Sequence, residues 1–448
     1  MSSTLLSTWT TTVRSAPAAV AVTEAATGLK HSRADLDERA EAWREAYGAG
    51  LAGKTVMLAE PNGAEWFRVF LGLLKADARV VPLDPGEPLA SQQETARALR
   101  AAWLWSGGQL HGIEAGAPRR RDRRRLVKLT SGSTGRPRAL AFTDAQMLAD
   151  GAQVCAGMGI RPDDVNFGLI PFGHSYGLGN LVLPLLIQGT AMVCGAAALP
   201  HAMADAMAEW RPTVFPAVPA LLQALVVSEI PAERLASLRT IISAGAPLSP
   251  DVATAFRAKF GRTIHSFYGS SETGGITYDR TGEAALTGRS VGTPLPGVRL
   301  VFGKRGRFTV ESAAVFTLGN RRRGEGGFGA HQPADIAELR ADGELVLRGR
   351  AGRFVKIAGR RLNLAEVERA LKSLPGVRDA LVVPHGTRAD ALAAVVASDE
   401  TGASVRTQLR ERLAPWKIPK KIVVLAAFPV TPRGKTDTRW LRERLDAE

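Results

Sequence analysis

The sequence predicts an α/β protein. It has a large N-terminal domain of parallel-type sheets with helices plus a small β-rich subdomain, and a small mobile α+β C-terminal domain. Three observations carry this expectation. Short apolar runs alternate with helical stretches through the first part of the chain. Near residue 290 the texture changes to short β-segments with glycine turns. A glycine- and charge-rich joint, Gly349-Arg350-Ala351-Gly352-Arg353, then precedes a compact unit of about 100 residues, a normal domain size. The expected division is residues 1–351 and 352–448.

Each element follows from its own residues. Lys54–Ala59 (KTVMLA) is a β-type run ending in the turn Glu60-Pro61-Asn62-Gly63. A helical pattern covers Glu65–Ala76, and Ala78–Leu83 (ARVVPL) is an apolar strand stopped by Asp84-Pro85-Gly86. Leu126–Leu129 is a further strand. The pattern returns at Val165–Pro171, Met192–Cys194, Val214–Val218 and Thr240–Ser243, each followed by a Gly/Pro turn and a helical stretch. Val291–Val301, Arg307–Val310 and Glu344–Arg348 make the β-rich subdomain. Past the joint, Ala365–Lys372 is an amphipathic helix, Asp379–Val383 and Ala391–Ala397 are strands, and Val405–Leu413 is a helix.

With 448 residues, two or three domains and a large buried core are expected. Hydrophobic residues at 45% and charged residues at 23% are ordinary for a soluble globular chain. No apolar run is long enough to span a bilayer. The opening MSSTLLSTWTTTVRSAPAAV lacks the pattern of a secretory signal and shares with transit peptides only its Ser/Thr/Arg content. Cys155 and Cys194 sit in apolar surroundings, which predicts small buried side chains in a reducing cytoplasm. The net charge of +15 favours an anionic partner: ATP, coenzyme A or an acidic carrier protein. Arg119, Arg120, Arg121, Arg123, Arg124 and Arg125 form one basic run and Arg321, Arg322 and Arg323 another; both read as solvated loops. No nucleic-acid partner is expected, because no zinc-finger, RNA-recognition or basic-aromatic pattern accompanies them.

The strongest local signal is Thr130-Ser131-Gly132-Ser133-Thr134-Gly135-Arg136-Pro137-Arg138, read as a loop between a buried strand and a helix. Its glycines let the backbone turn tightly and aim N–H groups at a phosphate, while hydroxyls and guanidiniums add donors. It is not a Walker A loop, since Pro137 falls where the second glycine belongs.

This loop resembles the phosphate-binding signature of the adenylate-forming superfamily, which includes acyl- and aryl-CoA synthetases and peptide-synthetase adenylation domains. Further motifs follow in that family's order. Tyr268-Gly269-Ser270-Ser271-Glu272-Thr273 is similar to its adenine and magnesium motif. Asp335 sits where the ribose-binding aspartate is expected, and Arg350 is expected to join it in fixing the ribose hydroxyls. Val355-Lys356-Ile357-Ala358-Gly359-Arg360-Arg361 is similar to the hinge motif, with Gly352 at the pivot. Pro429–Lys435 is similar to the C-terminal lysine motif. The resemblance implies that ATP, Mg²⁺ and coenzyme A, or a carrier-protein phosphopantetheine, are used. It implies Lys435, Glu272 and His174 as catalytic residues and Glu272 with Thr130 at the metal. It implies that Thr130, Ser131, Gly132, Ser133, Thr134, Gly135, Arg138, Gly245, Ala246, Pro247, Tyr268, Gly269, Ser270, Ser271, Asp335 and Arg350 hold the nucleotide. The physics agrees: attack on the α-phosphate builds negative charge that Lys435 and a hard cation on Glu272 would offset.

The chain departs from the family at three places. Gly352 replaces a usual Asp or Lys, Arg138 replaces a lysine, and Pro333-Ala334 replaces Thr-Gly before Asp335. None removes a charge the chemistry needs, so an active acid–thiol ligase is expected, the alternative being an idle nucleotide-binding scaffold. Pro171–Asn180 resembles the substrate-side motif of aryl and fatty acyl synthetases. His174, Ser175, Tyr176, Gly177, Ala244 and Gly245 are the expected acyl-site residues. No acidic residue lies in Pro171–Asn180, which argues against an amino acid and for an aromatic acid such as a hydroxybenzoate, ahead of a medium-chain fatty acid.

Overall fold

A computed structural model describes residues 3–113, 124–131, 137–317, 329–350, 354–357, 359–386, 388, 390–429 and 438–447. Two large sheets dominate. A nine-stranded sheet has a parallel centre of Val20–Glu24, Ala191–Cys194, Val165–Phe167, Val214–Ala217, Thr240–Ser243 and Ile264–Ser270, extended by antiparallel edges. Val214–Ala217 and Thr240–Ser243 are buried at every position, as central parallel strands are; Val214–Ala217 is wholly apolar, and Thr240–Ser243 is apolar at its middle two residues. A six-stranded sheet is built on parallel Thr55–Ala59, Arg79–Pro82 and Trp103–Ser106.

The helix Ala64–Lys75 buries nearly its whole length against the helix Arg33–Tyr47. Close approach there depends on Gly72, where an added Cβ would stand 2.5 Å from the Trp43 ring. The first helix, Leu5–Ser15, belongs to the same core. Thr4 caps it, Trp9 is fully buried and donates Nε1–H to Asp37 at 2.9 Å, and the Thr12 hydroxyl bonds the Leu186 carbonyl at 2.9 Å. Residues whose composition touched that of a transit peptide are therefore part of the fold.

Several expected elements differ in extent. The strand at Val165 ends at Phe167, and the Gly168 N–H still donates to the Val193 carbonyl of the neighbouring strand at 2.7 Å. The run Val291–Val301 divides into Thr293–Pro294 and Arg299–Phe302 around a turn at Gly297, whose φ is +76°. Gly349 and Arg350 do not belong to a joint: they finish the strand Leu345–Arg350, which pairs with Asp335–Leu339 and sets Asp335 opposite Arg350. The phosphate-type loop is not followed directly by a helix. It joins two antiparallel strands, Leu126–Ser131 and Pro137–Phe142, with Thr130 opposite Arg138. The helix Asp144–Met158 starts only after the second strand, capped by Thr143. The boundary expected between residues 351 and 352 lies outside the described residues.

The C-terminal part is a three-stranded sheet of Val377–Pro384, Leu392–Ser398 and Lys421–Leu425. Its residues alternate between two faces. Ala380, Val382, Ala394 and Val396 pack with the helices Leu364–Lys372 and Gly402–Arg410 and with the hairpin Phe354–Ile357/Arg360–Asn363. Leu381, Ala393, Val395 and Val423 pack with Thr438–Ala447 on the other face. Both cysteines are buried and free. Among the described residues, no helix is long and apolar enough to cross a membrane.

Candidate active site

A cavity of about 940 Å³ opens beyond the carboxyl ends of the central strands Val214–Ala217, Thr240–Ser243 and Ile264–Ser270. Parallel sheets place ligand sites there because the loops leaving adjacent strands diverge. The cavity draws together three of the sequence-predicted groups: His174 to Tyr176, Ala244 to Pro247, and Tyr268 to Ser271 with Asp335. From the C-terminal part, Lys356, Gly359 and Arg361 close it.

The Tyr268 hydroxyl donates to Asp335 Oδ2 at 2.7 Å, while its ring packs with Ile276, Phe308 and Val310. The strand register thus puts Asp335 between Tyr268 and Arg350. Ser175 Oγ donates to Ser271 Oγ at 2.7 Å, tying the acyl-side turn to the Tyr268–Glu272 segment. Glu272 sits in the turn between Ile264–Ser270 and Gly274–Tyr278 and is 7% exposed. Its carbonyl accepts the Phe316 N–H at 2.8 Å. Its Oε1 lies 3.7 Å from an Arg361 nitrogen, and its buried Oε2 has no hydrogen-bond partner. A buried carboxylate oxygen without a partner costs desolvation energy that a bound cation would recover.

His174 caps the short helical turn Ser175–Gly177, where its Nδ1 accepts the Tyr176 N–H at 3.3 Å. That leaves the proton of the neutral ring on Nε2. Burial pushes its pKa down to about 4, aided by the positive charges of Arg360, Lys356 and Lys128 and opposed by Asp84. The ring is therefore neutral near pH 7. Tyr176 anchors the turn by donating to the Ile242 carbonyl at 3.1 Å.

Sequence reasoning missed four features here. Arg361 stood in a hinge-like motif, yet its guanidinium faces Glu272. Lys128 and Asp150 form a buried ion pair at 3.1 Å, and Asp150 also accepts the Gly275 N–H, so the pair braces the cavity wall. Asn180 Oδ1 and Ser243 Oγ lie buried without hydrogen-bond partners on residues lining the cavity. His331 stands near Glu272, Arg138 and Arg361, with a pKa lowered first by burial, against Glu272 and with the help of both arginines. Only pairing of the strand Gly329–His331 with Phe308–Ser312 brings it there.

Among the expected nucleotide-binding residues, Thr130 and Arg138 face each other across the hairpin, and neither lines the cavity. Gly177 packs its Cα against the Pro171 carbonyl. Gly132, Ser133, Thr134, Gly135, Gly352, Lys435, Arg119, Arg120, Arg121, Arg123, Arg321, Arg322 and Arg323 lie outside the described residues. Of the first basic run, Arg125 pairs with Asp77 at 2.9 Å, which is a structural role. No cluster of three or more metal-type side chains occurs among the described residues.

Residues 114–301 match the AMP-binding enzyme family, and residues 366–435 match the AMP-binding enzyme C-terminal domain. The chain is 30% identical over 349 residues to the L-proline–[L-prolyl-carrier protein] ligase of Streptomyces coelicolor, covering 70% of this chain and 64% of that one. It is 29% identical over 354 residues to the benzoate–CoA ligase of Thauera aromatica, covering 73% of this chain and 67% of that one. The chain thus spans only about two thirds of these relatives' lengths. In fold it is similar to an amide bond synthetase from Marinactinospora thermotolerans, with a TM-score of 0.82 at 22% identity over 99% of each chain.

Proposed function

Since the chain belongs to the AMP-binding enzyme family, we propose that it is an acid–thiol ligase that uses ATP to activate a carboxylic acid and then transfers the acyl group. In the first step a carboxylate oxygen of the acid attacks the α-phosphorus, the bond to the β-phosphate oxygen breaks, and pyrophosphate leaves. In the second a thiol sulfur attacks the acyl carbon and AMP departs with the electron pair. The observation that carries the reading is one cavity in which the Tyr268–Asp335 pair and a neutral His174 converge from separate elements with a hairpin of the C-terminal part, whose Arg361 faces the carboxylate of Glu272 behind the cavity wall.

Asp335, oriented by Tyr268, offers a carboxylate oxygen to paired ribose hydroxyls. The Glu272 Oε2 without a partner fits Mg²⁺, a hard ion that takes one or two carboxylates and completes its shell with phosphate and water. Bound there, the ion would neutralise charge on the phosphates. Arg361 and Lys435 supply further positive charge. His174, kept neutral by burial, presents Nε2–H as a donor rather than a second cation, so it can hold the acid without trapping it in an ion pair.

The acid is aromatic in our reading. The wall at Ala244–Gly245–Ala246 is small, and Pro171–Asn180 has no acidic residue to receive an α-ammonium group. Asn180 Oδ1 and Ser243 Oγ lack partners, which favours an acid with a hydroxyl substituent such as a hydroxybenzoate. The benzoate–CoA ligase among its relatives supports the same class. The acceptor is coenzyme A or the phosphopantetheine of an acidic carrier protein, drawn by the net charge of +15. Two free, buried cysteines suit a cytoplasmic enzyme. The two working domains are residues 1–351 and 352–448, with Gly352 as pivot.

A pyrophosphate-release screen across aryl, fatty and amino acids tests the reading. Release with a hydroxylated aryl acid supports it. No release with any acid would favour the idle scaffold. In a Lys435→Ala variant, acid-dependent release should be lost while transfer from a supplied acyl-adenylate persists.

A further inference from the structure

The loop after the strand Arg79–Pro82 joins the two parts of the molecule electrostatically. Asp84 pairs with Arg360, and Glu87 pairs with Lys417. Lys417 also meets Glu366 at 2.9 Å, and the Ala414 N–H donates to Glu87 Oε2 at 3.1 Å. The Arg360 guanidinium lies 5.0 Å above the Trp416 ring. These groups are mostly buried: the side chains of Asp84, Arg360, Glu87 and Lys417 are 24%, 23%, 14% and 14% exposed. Their sequence separations run from 276 to 330 residues, so the contacts exist only in this arrangement of the two parts. The loop is itself held by two local hydrogen bonds. Asp84 Oδ1 accepts the Gly86 N–H at 3.0 Å, and Gln92 bonds the Glu87 carbonyl at 2.7 Å. On its other side the Leu83 backbone abuts Gly173, the residue before His174.

What this junction holds is the tip of the hairpin Phe354–Ile357/Arg360–Asn363. Gly359, next to Arg360, has φ +76°, and a Cβ there would stand 2.0 Å from Val218 Cγ1. Gly245 has φ +92°, and its added Cβ would meet the Gly359 backbone at 2.6 Å. Two glycines in contact thus seat the tip on the cavity wall, beside Arg361 facing Glu272. The hairpin packs on one face of the C-terminal sheet, and Thr438–Ala447, the helix that begins three residues after Lys435, packs on the opposite face.

We propose that Asp84 and Glu87 are positioning residues that hold the hairpin of the C-terminal part against the cavity wall, and so favour acyl transfer over acid activation. The proposal rests on the ligase reading for its kinetic consequence, but not for its structural one. Partly buried charge pairs of this kind are worth more than exposed ones, because the partner left behind stays desolvated.

The experiment compares wild type with the Asp84→Asn/Glu87→Gln double variant, which keeps shape and removes charge. Leu199→Cys and Glu411→Cys carry spin labels, one on each part; both positions are exposed, and the native cysteines are buried. Inter-label distances should form one main population in wild type and broaden in the double variant. They should also broaden in wild type as salt rises, a readout that needs no loop substitution. The ratio of transfer to coenzyme A over acid-dependent pyrophosphate release should fall roughly tenfold in the double variant. An Asp84→Arg/Arg360→Asp exchange should restore part of that ratio, whereas a merely structural role would lower both half-reactions alike and leave the ratio unchanged. Unchanged distances in both the double variant and high salt would overturn the proposal. If wild type released no pyrophosphate, the ligase reading would fall, and the distances would still decide the junction.

Discussion

At the scale of single residues, some polar groups in and beside the cavity stand without protein hydrogen-bond partners, and others are held by burial. Glu272 Oε2 and Asn180 Oδ1 belong to the first kind. Glu272→Gln keeps the volume but removes the charge a cation needs. Pyrophosphate release should fall by about 10²-fold or more, with a raised Mg²⁺ requirement, measured by a magnesium titration at saturating ATP. Asn180→Leu should reduce the preference for a hydroxylated over an unsubstituted aryl acid by about 1–3 kcal/mol, read as the ratio of their kcat/KM values. His174 belongs to the second kind. Its pKa is lowered from 6.5 to about 4, so the unfolded chain binds the proton more readily between those values. His174 therefore contributes stability that is full above about pH 6.5 and is lost as pH falls toward 4, at up to about 1.4 kcal/mol per unit. Denaturant unfolding of wild type and His174→Asn across that window should show a shallower slope in the variant, the remainder including that of His331.

At the scale of elements, termini and tips matter most. The helix Leu5–Ser15 is a structural member, since Trp9 is fully buried and bonded to Asp37. Trp9→Ala should cost about 3–5 kcal/mol, visible as a lowered denaturant midpoint. Gly359 seats the hairpin with a backbone conformation that side chains rarely adopt. Gly359→Ala should cost about 1 kcal/mol or more locally and lower acyl transfer more than pyrophosphate release, since only the hairpin must lift from Val218. The hairpin Leu126–Ser131/Pro137–Phe142 shows where local reading falls short. The Ser/Gly segment between these strands was legible as a turn rich in donors, but its second flank read as helix. Pro137 and the alternating residues after it form an edge strand instead, because the neighbouring strand offers a ladder that no local pattern announces.

At the scale of the whole molecule, the β-rich subdomain and the hairpin of the C-terminal part line one cavity with the central strands, and an acidic loop pairs with the C-terminal part. Periodic apolar runs and glycine turns determined the α/β class and most strand positions, while His174, Glu272, Tyr268 and Asp335 were expected from the ordered motifs through the resemblance alone. Class and strand positions are matters of local period and side-chain chemistry, which one stretch of chain carries by itself. Only the tertiary structure decided that Arg361 faces Glu272, that His331 approaches the same carboxylate, that Lys128 is buried against Asp150, and that Asp84 and Glu87 grip Arg360 and Lys417. Each of those pairs joins residues distant in the chain. Their energy depends on burial and on facing geometry, and both arise only when separate elements have packed.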